Sequence, residues 1–437
     1  MSALADLAIA LLAAAGPSAP QSERIVDAPL PTAAHYRLHH SFGPCVVQAV
    51  AAGQPPAARL ELVASGSDGT LETRYLELCG LQVVPGDDGR CELRSTFPPA
   101  EQKAQELSFA ATLRVLLPPD CSLELDLRFG AATVVGPFRG ATVRSKLGSV
   151  LVAEVRGDVE VVGEYGAIAV RDLGGGAKLH NKSASITAER VAGHVEARTS
   201  GDKLVIDGAG SAHAENRIQP IELRHVRGDA RAVAPFSAVT ASDIGGDLTI
   251  DGQNQPIRVE RVARHLIVRN KSGAIEAHTI GGNATLQGSL SAITLSDVTG
   301  DVEAKSPNAP LKLSRIGGRV VAENSAFALD LVDLRGDVEA QASGGLLRAR
   351  FGELAGSAPR AIALEAVGGG IELELPAAAS AELELTSSSG QLDAPLPGIQ
   401  ITQSGSARIG TLTLGAGNAK LRATAVGGPL RVRLGGS

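Results

Sequence analysis

Aromatic residues are scarce in this sequence of 437 residues, which has no tryptophan, one methionine and 3% aromatic residues in total. Proteins that bind nucleic acid usually carry basic patches, often with aromatic side chains on which bases stack. Here 41 basic and 47 acidic residues are interspersed, and no basic patch has aromatic neighbours. The composition therefore excludes nucleic-acid binding. It predicts a core of small aliphatic side chains on strands, with many of the 51 glycines at bends.

Cysteine is also scarce, and its spacing excludes a zinc knuckle because no Cys-X-X-Cys pair occurs. The four cysteines all lie near the N-terminus: Cys45, Cys79, Cys91 and Cys121. In an exported protein one or two disulfides are expected, with three possible sets of pairs between which the sequence does not decide. In a cytoplasmic protein they would be small buried thiols.

Long apolar runs are missing after the N-terminus, so the sequence does not predict an integral membrane protein. Residues 1–20 contain an apolar run from Leu7 to Ala15, which suits a signal-peptide core and is too short to span a bilayer. This run predicts export to the periplasm, the cell surface or the medium. No basic residue precedes it and Asp6 lies beside it, so an apolar N-terminal helix in a cytoplasmic protein is the alternative.

Motifs for catalysis are absent as well. The sequence has no Gly-X-Ser-X-Gly elbow, no phosphate-binding loop ending in Gly-Lys-Ser/Thr and no His-Glu-X-X-His. His35, His39 and His40 are spaced like metal ligands, but no acidic residue or cysteine is close to them in the sequence, which favours a polar strand start. We therefore predict that the chain is not an enzyme and needs no cofactor.

Glycine recurs with a period of 18 residues, interrupted by a single step of 17. Ten of eleven positions in this series are glycine: Gly157, Gly175, Gly193, Gly210, Gly228, Gly246, Arg264, Gly282, Gly300, Gly318 and Gly336. Apolar residues keep fixed distances from each glycine, and after Gly300 they are Val302, Ala304, Leu311, Leu313 and Ile316. Two short alternating segments per repeat predict two strands with one buried face. Such a repeat predicts an all-β, right-handed parallel β-solenoid with an 18-residue rung.

The repeat also explains three Arg-Gly-Asp tripeptides, which end at Asp158, Asp229 and Asp337. In a secreted protein this tripeptide suggests a ligand for adhesion receptors. Each copy, however, has its glycine at the repeat position, and aspartate also follows that glycine in other rungs. We interpret the tripeptides as rung corners, in which aspartate caps a turn.

The residues after the corner glycines form a polar column, because neighbouring rungs stack about 4.8 Å apart. Five successive members are Asp229, Asp247, His265, Asn283 and Asp301. The carboxylates of Asp229, Asp247 and Asp301 are candidate ligands for calcium. A carboxylate column could also cleave sugars, but it lacks the clustered basic residues of a lyase. Ordinary turn residues at a solvated corner are the preferred interpretation.

The period weakens at both ends, which divides the chain into four predicted segments. Residues 1–20 are the signal peptide, 30–116 an N-terminal antiparallel β region or cap, 117–356 the solenoid and 357–437 irregular C-terminal rungs that act as a cap. Caps are expected because open solenoid ends are exposed strand edges. Since both ends would be covered, we expect a monomer or a weak oligomer.

The Leu-Pro strands at 117–127 and 375–385, together with units such as "GDVEV" and "GGGIELELP", carry a resemblance to a known family. They resemble the bacterial putative-adhesin family of β-strand-repeat proteins, over residues 110–437. The resemblance implies a right-handed solenoid in envelope or surface proteins and brings no catalytic residues. Bactofilin scaffolds have a similar triangular coil but lack such an N-terminal β region.

Three function classes follow from these observations. The first is a noncatalytic surface or envelope solenoid that binds a protein or polysaccharide ligand, or that serves as a structural spacer. The second is a self-assembling, bactofilin-like scaffold. The third is a carbohydrate-active β-helix enzyme, which is less favoured because the few aromatic residues of the repeat fall at differing positions and offer no sugar platform.

Overall fold

The computed structural model describes residues 21–51, 53–66, 69–86, 88–98, 107–354, 359–388 and 391–435. The predicted signal peptide lies outside these ranges. Strands make up 64% of the chain and helix 2%. The chain divides into two compact units, residues 1–182 and 183–437. Within the described residues, no helix has the length and hydropathy of a membrane span.

In its described residues the N-terminal unit contains fourteen strands and one helix. They are β1 (Gln21–Pro29), β2 (His35–His40), β3 (Cys45–Ala49), β4 (Ala57–Ser65), α1 (Gly69–Glu77), β5 (Gly80–Pro85), β6 (Arg90–Thr96), β7 (Ser108–Leu117), β8 (Ser122–Phe129), β9 (Ala132–Val135), β10 (Gly140–Leu147), β11 (Val150–Ala153), β12 (Val159–Gly163), β13 (Ile168–Leu173) and β14 (Ala177–Asn181).

The C-terminal unit continues with strands only in its described part. They are β15 (Ile186–Thr199), β16 (Leu204–Asn216), β17 (Ile221–Val226), β18 (Ala230–Ala234), β19 (Val239–Ile244), β20 (Leu248–Gly252), β21 (Ile257–Val262), β22 (Leu266–Ser272), β23 (Ile275–Ile280), β24 (Ala284–Leu290), β25 (Ile293–Val298), β26 (Val302–Ser306), β27 (Leu311–Ile316), β28 (Val320–Ser325), β29 (Leu329–Leu334), β30 (Val338–Ser343), β31 (Leu347–Arg350), β32 (Arg360–Val367), β33 (Ile371–Leu375), β34 (Ala381–Ser387), β35 (Leu392–Asp393), β36 (Gln400–Ser404), β37 (Ala407–Leu414), β38 (Ala419–Val426) and β39 (Leu430–Leu434).

The 18-residue repeat is visible directly in the strand register. Val302 of β26 pairs in parallel with Ala284 on one side and with Val320 on the other, 18 residues away in each direction. The predicted inward residues are buried: Val302 is 2% exposed and Leu311 0%. The core is therefore a set of apolar ladders inside the stacked rungs. The predicted all-β solenoid with an 18-residue rung is confirmed.

Corner glycines are required by the close approach of stacked rungs. A Cβ on Gly336 would lie 2.1 Å from the carbonyl oxygen of Gly318, and one on Gly157 would lie 1.7 Å from that of Arg139. The left-handed backbone occurs elsewhere, at the fifteenth residue after the corner glycine. Non-glycine residues there have φ between 50° and 62°: Arg190, His225, Asp243, Arg261, Thr279, Asp297, Arg315 and Asp333. The sequence does not predict this left-handed position before each corner.

The N-terminal unit begins with a rung inserted out of sequence order. Strands β2 and β3 form one rung, which lies between the β6/β7 rung and the β8/β9 rung in parallel pairing. Antiparallel strands then cover the outer side, in the pairs β1–β4, β4–β7 and β5–β6. The predicted antiparallel region is present, and the same residues also contribute two parallel rungs.

The C-terminal unit ends in a similar way. The last rung, β38/β39, pairs in parallel with β32/β33 on one side and with β34/β35 on the other, so it is inserted between two rungs that precede it in sequence. Beyond β34 the sheet continues with β37 and β36 in antiparallel pairing. The order on this face is therefore β30–β32–β38–β34–β37–β36.

The four cysteines are free thiols, buried in the N-terminal unit. Burial raises the pKa of the Cys45 thiol to about 12 and that of Cys79 and Cys121 to about 11, and it also raises the pKa of Cys91. The disulfides expected for an exported protein are therefore not formed, and the cysteines serve as small apolar side chains.

Candidate functional site

The polar corner column links each rung to the next through side-chain hydrogen bonds. Asp229 Oδ1 accepts from the backbone N–H of Asp247 at 2.9 Å, and Asp247 Oδ1 accepts from that of His265 at 3.1 Å. His265, Asn283 and Asp301 each bond to the following rung in the same way, at 3.0, 3.0 and 2.8 Å. The aspartates thus cap the neighbouring rung rather than their own turn.

The three candidate calcium ligands are placed unequally along this column. Asp229 and Asp247 lie on adjacent rungs, while two further rungs, bearing His265 and Asn283, separate Asp247 from Asp301. One carboxylate oxygen of each aspartate already accepts a backbone hydrogen bond. Among the described residues, no three His, Cys, Asp or Glu side chains form a group that could hold a metal ion.

The Arg-Gly-Asp tripeptides lie at rung corners, as the repeat predicts. Asp158 and Asp337 make the same inter-rung bond, to Gly176 N at 2.7 Å and to Ala361 N at 2.8 Å. The arginines also bond within the stack: Arg156 pairs with Asp120, and Arg227 donates to the carbonyl of Ala192 at 2.6 Å. The tripeptides are therefore part of the corner structure.

A second column, formed by the residues with left-handed backbone, contains two ion pairs that each have two hydrogen bonds. Arg261 donates two hydrogen bonds to Asp243, at 2.6 and 3.0 Å, and Arg315 donates two to Asp297, at 2.6 and 2.7 Å. These hydrogen bonds hold the pKa of Asp243 below its usual value and lower that of Asp297 to about 2. Because these arginines and aspartates pair with one another, they offer no unpaired charge to a ligand.

A trough of about 1040 Å³ lies on the outer face of the C-terminal unit, across β30, β32, β38, β34 and β37. Outward residues of a strand alternate with buried ones, so each strand presents every second side chain to the trough. On β32 the side chains of Ala361 and Ala363 are small and exposed, and Glu365 follows them on the same face. Longer side chains on β30 and β38 stand on either side. The alanines therefore form a floor between two walls.

The trough walls combine paired and unpaired polar groups. Arg319 bonds to Glu339 at 2.9 Å, and Arg422 pairs with Glu384 at 2.9 Å. Three other charged groups of the lining have no ion pair or side-chain hydrogen bond within the described part of the chain: Glu365, Glu382 and Lys420. Hydroxyl and amide groups complete the lining, from Thr411, Thr413, Thr424 and Gln341. The trough thus offers hydrogen-bond donors and acceptors together with unpaired charges of both signs.

The three histidines of β2 lie in different surroundings, with His35 exposed, His39 half-buried and His40 buried. His40 points into the core and is 1% exposed, with its Nδ1 2.8 Å from Ser95 Oγ. His39, on the other face of the strand, lies between Glu92 at 3.5 Å and Asp126 at 3.2 Å. Burial lowers the pKa of His40 to about 4. The acidic partners of His39 come from β6 and β8, which explains why the local sequence did not reveal them.

The sequence does not reveal the trough, because the strands that form it are neighbours in the sheet but not consecutive along the chain. Arg422 of β38 lies between Ala363 of β32 and Glu384 of β34 only because the last rung is inserted between these two strands. The alternating charged residues of "AELELT" and "AKLRAT" did indicate outward polar faces. They gave no information on which strands would be neighbours.

Aromatic placement also differs from the sequence expectation in one respect. Tyr165 and Phe236 share a position, since each follows its corner glycine by eight residues, and both are about half exposed, at 53% and 50%. Ile218, at the same position one rung before Phe236, is 60% exposed. The segment between the two strands of a rung therefore carries scattered apolar side chains rather than a continuous platform.

No family model matches the chain, and no curated protein is similar to it. Four chains of solved structures match it, including two that both have low TM-scores. One, described as a putative cell adhesion protein from Clostridium sporogenes, is 7% identical and has a TM-score of 0.19, covering 95% of this chain and 100% of its own. Another, described as a putative adhesin from Bacteroides fragilis, is 13% identical and has a TM-score of 0.24, covering 68% of this chain and 100% of its own.

Proposed function

We propose that this chain is a noncatalytic binding module of the bacterial envelope or surface, and that its ligand is a polysaccharide. The trough across β30, β32, β38, β34 and β37 supports this proposal, because it combines unpaired charged groups, hydroxyls and an amide above an alanine floor. Polyhydroxylated chains are recognised by such hydrogen-bonding groups in a shallow, open site. Among its described lining residues the trough has no aromatic side chain, so a bound polysaccharide would be held by hydrogen bonds and charge rather than by stacking on a ring.

The rigidity of the solenoid supports a binding role. The trough residues lie on strands that are paired on both sides or held in the terminal sheet, so their positions are fixed before a ligand arrives. A preorganised site loses less conformational entropy on binding. Arg261 and Arg315 are paired with Asp243 and Asp297. The trough residues Glu365, Glu382 and Lys420, in contrast, have no ion pair among the described residues.

Binding can be tested by calorimetry with the full chain and a panel of neutral, uronic-acid and sulfated polysaccharides. Ala363→Arg fills the trough floor with a long side chain and should abolish binding. Thr240→Arg places the same residue on an exposed strand position elsewhere in the unit and should leave binding unchanged. Full affinity of the Ala363→Arg variant would refute this site, and release of new reducing ends from a polysaccharide would show catalysis instead.

Export is part of this proposal and rests on the apolar run from Leu7 to Ala15. The free, buried thiols are the state expected of a cytoplasmic protein, so the location needs a direct test. Fractionation of cells that make the full chain, with sequencing of the mature N-terminus, should find the protein in the envelope or the medium with residues 1–20 removed. An intact N-terminus in the cytoplasm would refute the assignment to the surface.

A further inference from the structure

Strand β36 has one open edge. It pairs with β37 along its other edge, from Gln400 opposite Thr411 to Ser404 opposite Ala407. No other strand of the described residues pairs with it. All five of its residues are exposed, and Ile401 is 49% exposed. Every second residue of β36 therefore directs its backbone N–H and C=O groups into solvent.

The composition of β36 leaves this edge unprotected. Proteins usually guard edge strands with charges, proline, bulges or a covering element. The residues of β36, Gln-Ile-Thr-Gln-Ser, include no charge and no proline. The N-terminal edge strand β1 differs, since it carries Glu23, Arg24 and Asp27, and Arg24 donates to the carbonyl of Cys79 beyond α1 at 2.8 Å. The edge strand β1 is thus protected by charged residues, whereas the edge strand β36 is not.

We propose that β36 is a dimerisation strand, which pairs in antiparallel fashion with β36 of a second copy of this chain. A two-fold axis at Thr402 would place Thr402 opposite Thr402 of the partner subunit, Gln400 opposite the partner's Ser404 and Ile401 opposite the partner's Gln403. The absence of charge means that no like charges meet in this arrangement. Opposed threonines stabilise antiparallel pairs, and the glutamine and serine side chains can bond across the strands.

The open edge of β36 fits best against the same edge of a second copy of this chain. The strand is self-complementary about its centre, which is the requirement for a two-fold interface. Five residues of strand edge bury less surface than a stable interface needs, so the dimer is weak and depends on concentration. Because the two-fold pairing uses the same edge on both copies, assembly stops at the dimer.

Dimerisation would join the two troughs on one extended sheet. The face β32–β38–β34–β37–β36 continues into the partner, and a two-fold axis perpendicular to the sheet leaves both troughs on the same side. If the proposed polysaccharide binding is correct, two troughs could hold one polymer and raise its apparent affinity. The dimer itself does not depend on that function.

Sedimentation equilibrium of the full chain over a range of micromolar concentrations tests the dimer. The wild type should show a concentration-dependent monomer–dimer equilibrium. Thr402→Lys brings two ammonium groups together at the axis and should weaken the dimer about tenfold or more. Thr240→Lys introduces the same charge on a strand that is paired on both sides, and it should dimerise like the wild type.

Cross-linking separates a disrupted interface from a disrupted fold. Thr402→Cys should form a disulfide-linked dimer under mild oxidation, because the two side chains face each other, whereas Thr240→Cys should not. The native cysteines are buried and do not compete. A wild-type chain that stays monomeric throughout, a Thr402→Lys variant that dimerises normally, or filaments in place of dimers would each overturn the proposal.

Discussion

Aspartate at a rung corner stabilises the solenoid by bonding to the rung that stacks on it. Asp229, Asp247 and Asp301 each accept one backbone N–H from the next rung, at distances of 2.8–3.1 Å. Asn283 and His265 replace the carboxylate without loss of the bond. The position therefore needs a short acceptor side chain and no negative charge.

Replacement of Asp229 tests this role. Asp229→Ala leaves the N–H of Asp247 without its acceptor and should lower the free energy of unfolding by about 1 kcal/mol. Asp229→Asn keeps an acceptor oxygen, as Asn283 does, and should cost less than half as much. Urea unfolding of both variants measures the difference. An equal loss in the two variants would mean that the charge, and not the hydrogen bond, matters.

His40 should make the N-terminal unit sensitive to acid. Burial lowers its folded-state pKa to about 4, against an ordinary value of 6.5. The unfolded chain therefore binds a proton that the folded chain does not, between these two values. Stability is fully present above about pH 6.5 and is lost as the pH falls toward 4, by on the order of 3 kcal/mol.

His40→Gln should remove this pH dependence while it keeps a polar group near Ser95. Unfolding free energies at about pH 7.5 and pH 4.5 measure the effect. His35→Gln, at the exposed start of the same strand, should retain the wild-type acid sensitivity. If the His40→Gln variant lost as much stability on acidification as the wild type, other groups would be responsible.

Individual strands are held by the inward ladders that stacking creates. Val302 lies between Ala284 and Val320 of the adjacent rungs and is 2% exposed. Val302→Asp places a carboxylate among apolar neighbours with no partner and should cost several kcal/mol. Because rungs couple to their nearest neighbours, proteolysis should begin in the flanking rungs. Thermal melting and limited proteolysis measure both effects.

The adjacent Glu303 provides the control for this substitution. It points outward, where Glu303→Asp keeps the charge in solvent and should change the melting temperature little. A similar loss of stability in both variants would contradict the assignment of inward and outward faces on β26.

Strand identity was largely predictable from the sequence because alternation is a local property. The residues two, four, eleven and thirteen positions after each corner glycine are buried as expected. The left-handed backbone position that precedes each corner was not predictable in the same way. Left-handed backbone recurs at the same position in successive rungs, as at Thr279 and Arg315, although these residue types do not favour it, so residue identity does not signal it.

At the level of the whole molecule, each unit is closed by a rung inserted out of sequence order. Removing residues 417–437 deletes β38/β39 and leaves the facing edges of β32 and β34 unpaired. The truncated chain should aggregate and should melt at a lower temperature than the full chain. Light scattering and thermal melting measure these effects. A soluble truncated chain with an unchanged melting temperature would show that the insertion is dispensable.

The sequence by itself determined the 18-residue rung, the buried ladders and the corner positions, since each follows from spacing along the chain. Only the tertiary structure decided that the corner aspartates bond to the next rung, that the thiols remain free and that the terminal rungs are inserted. It also decided which outward side chains line the trough and which strand edge stays open. The physical reason is that every rung presents the same apolar pattern, so the pattern stabilises stacking but does not specify which rungs are neighbours.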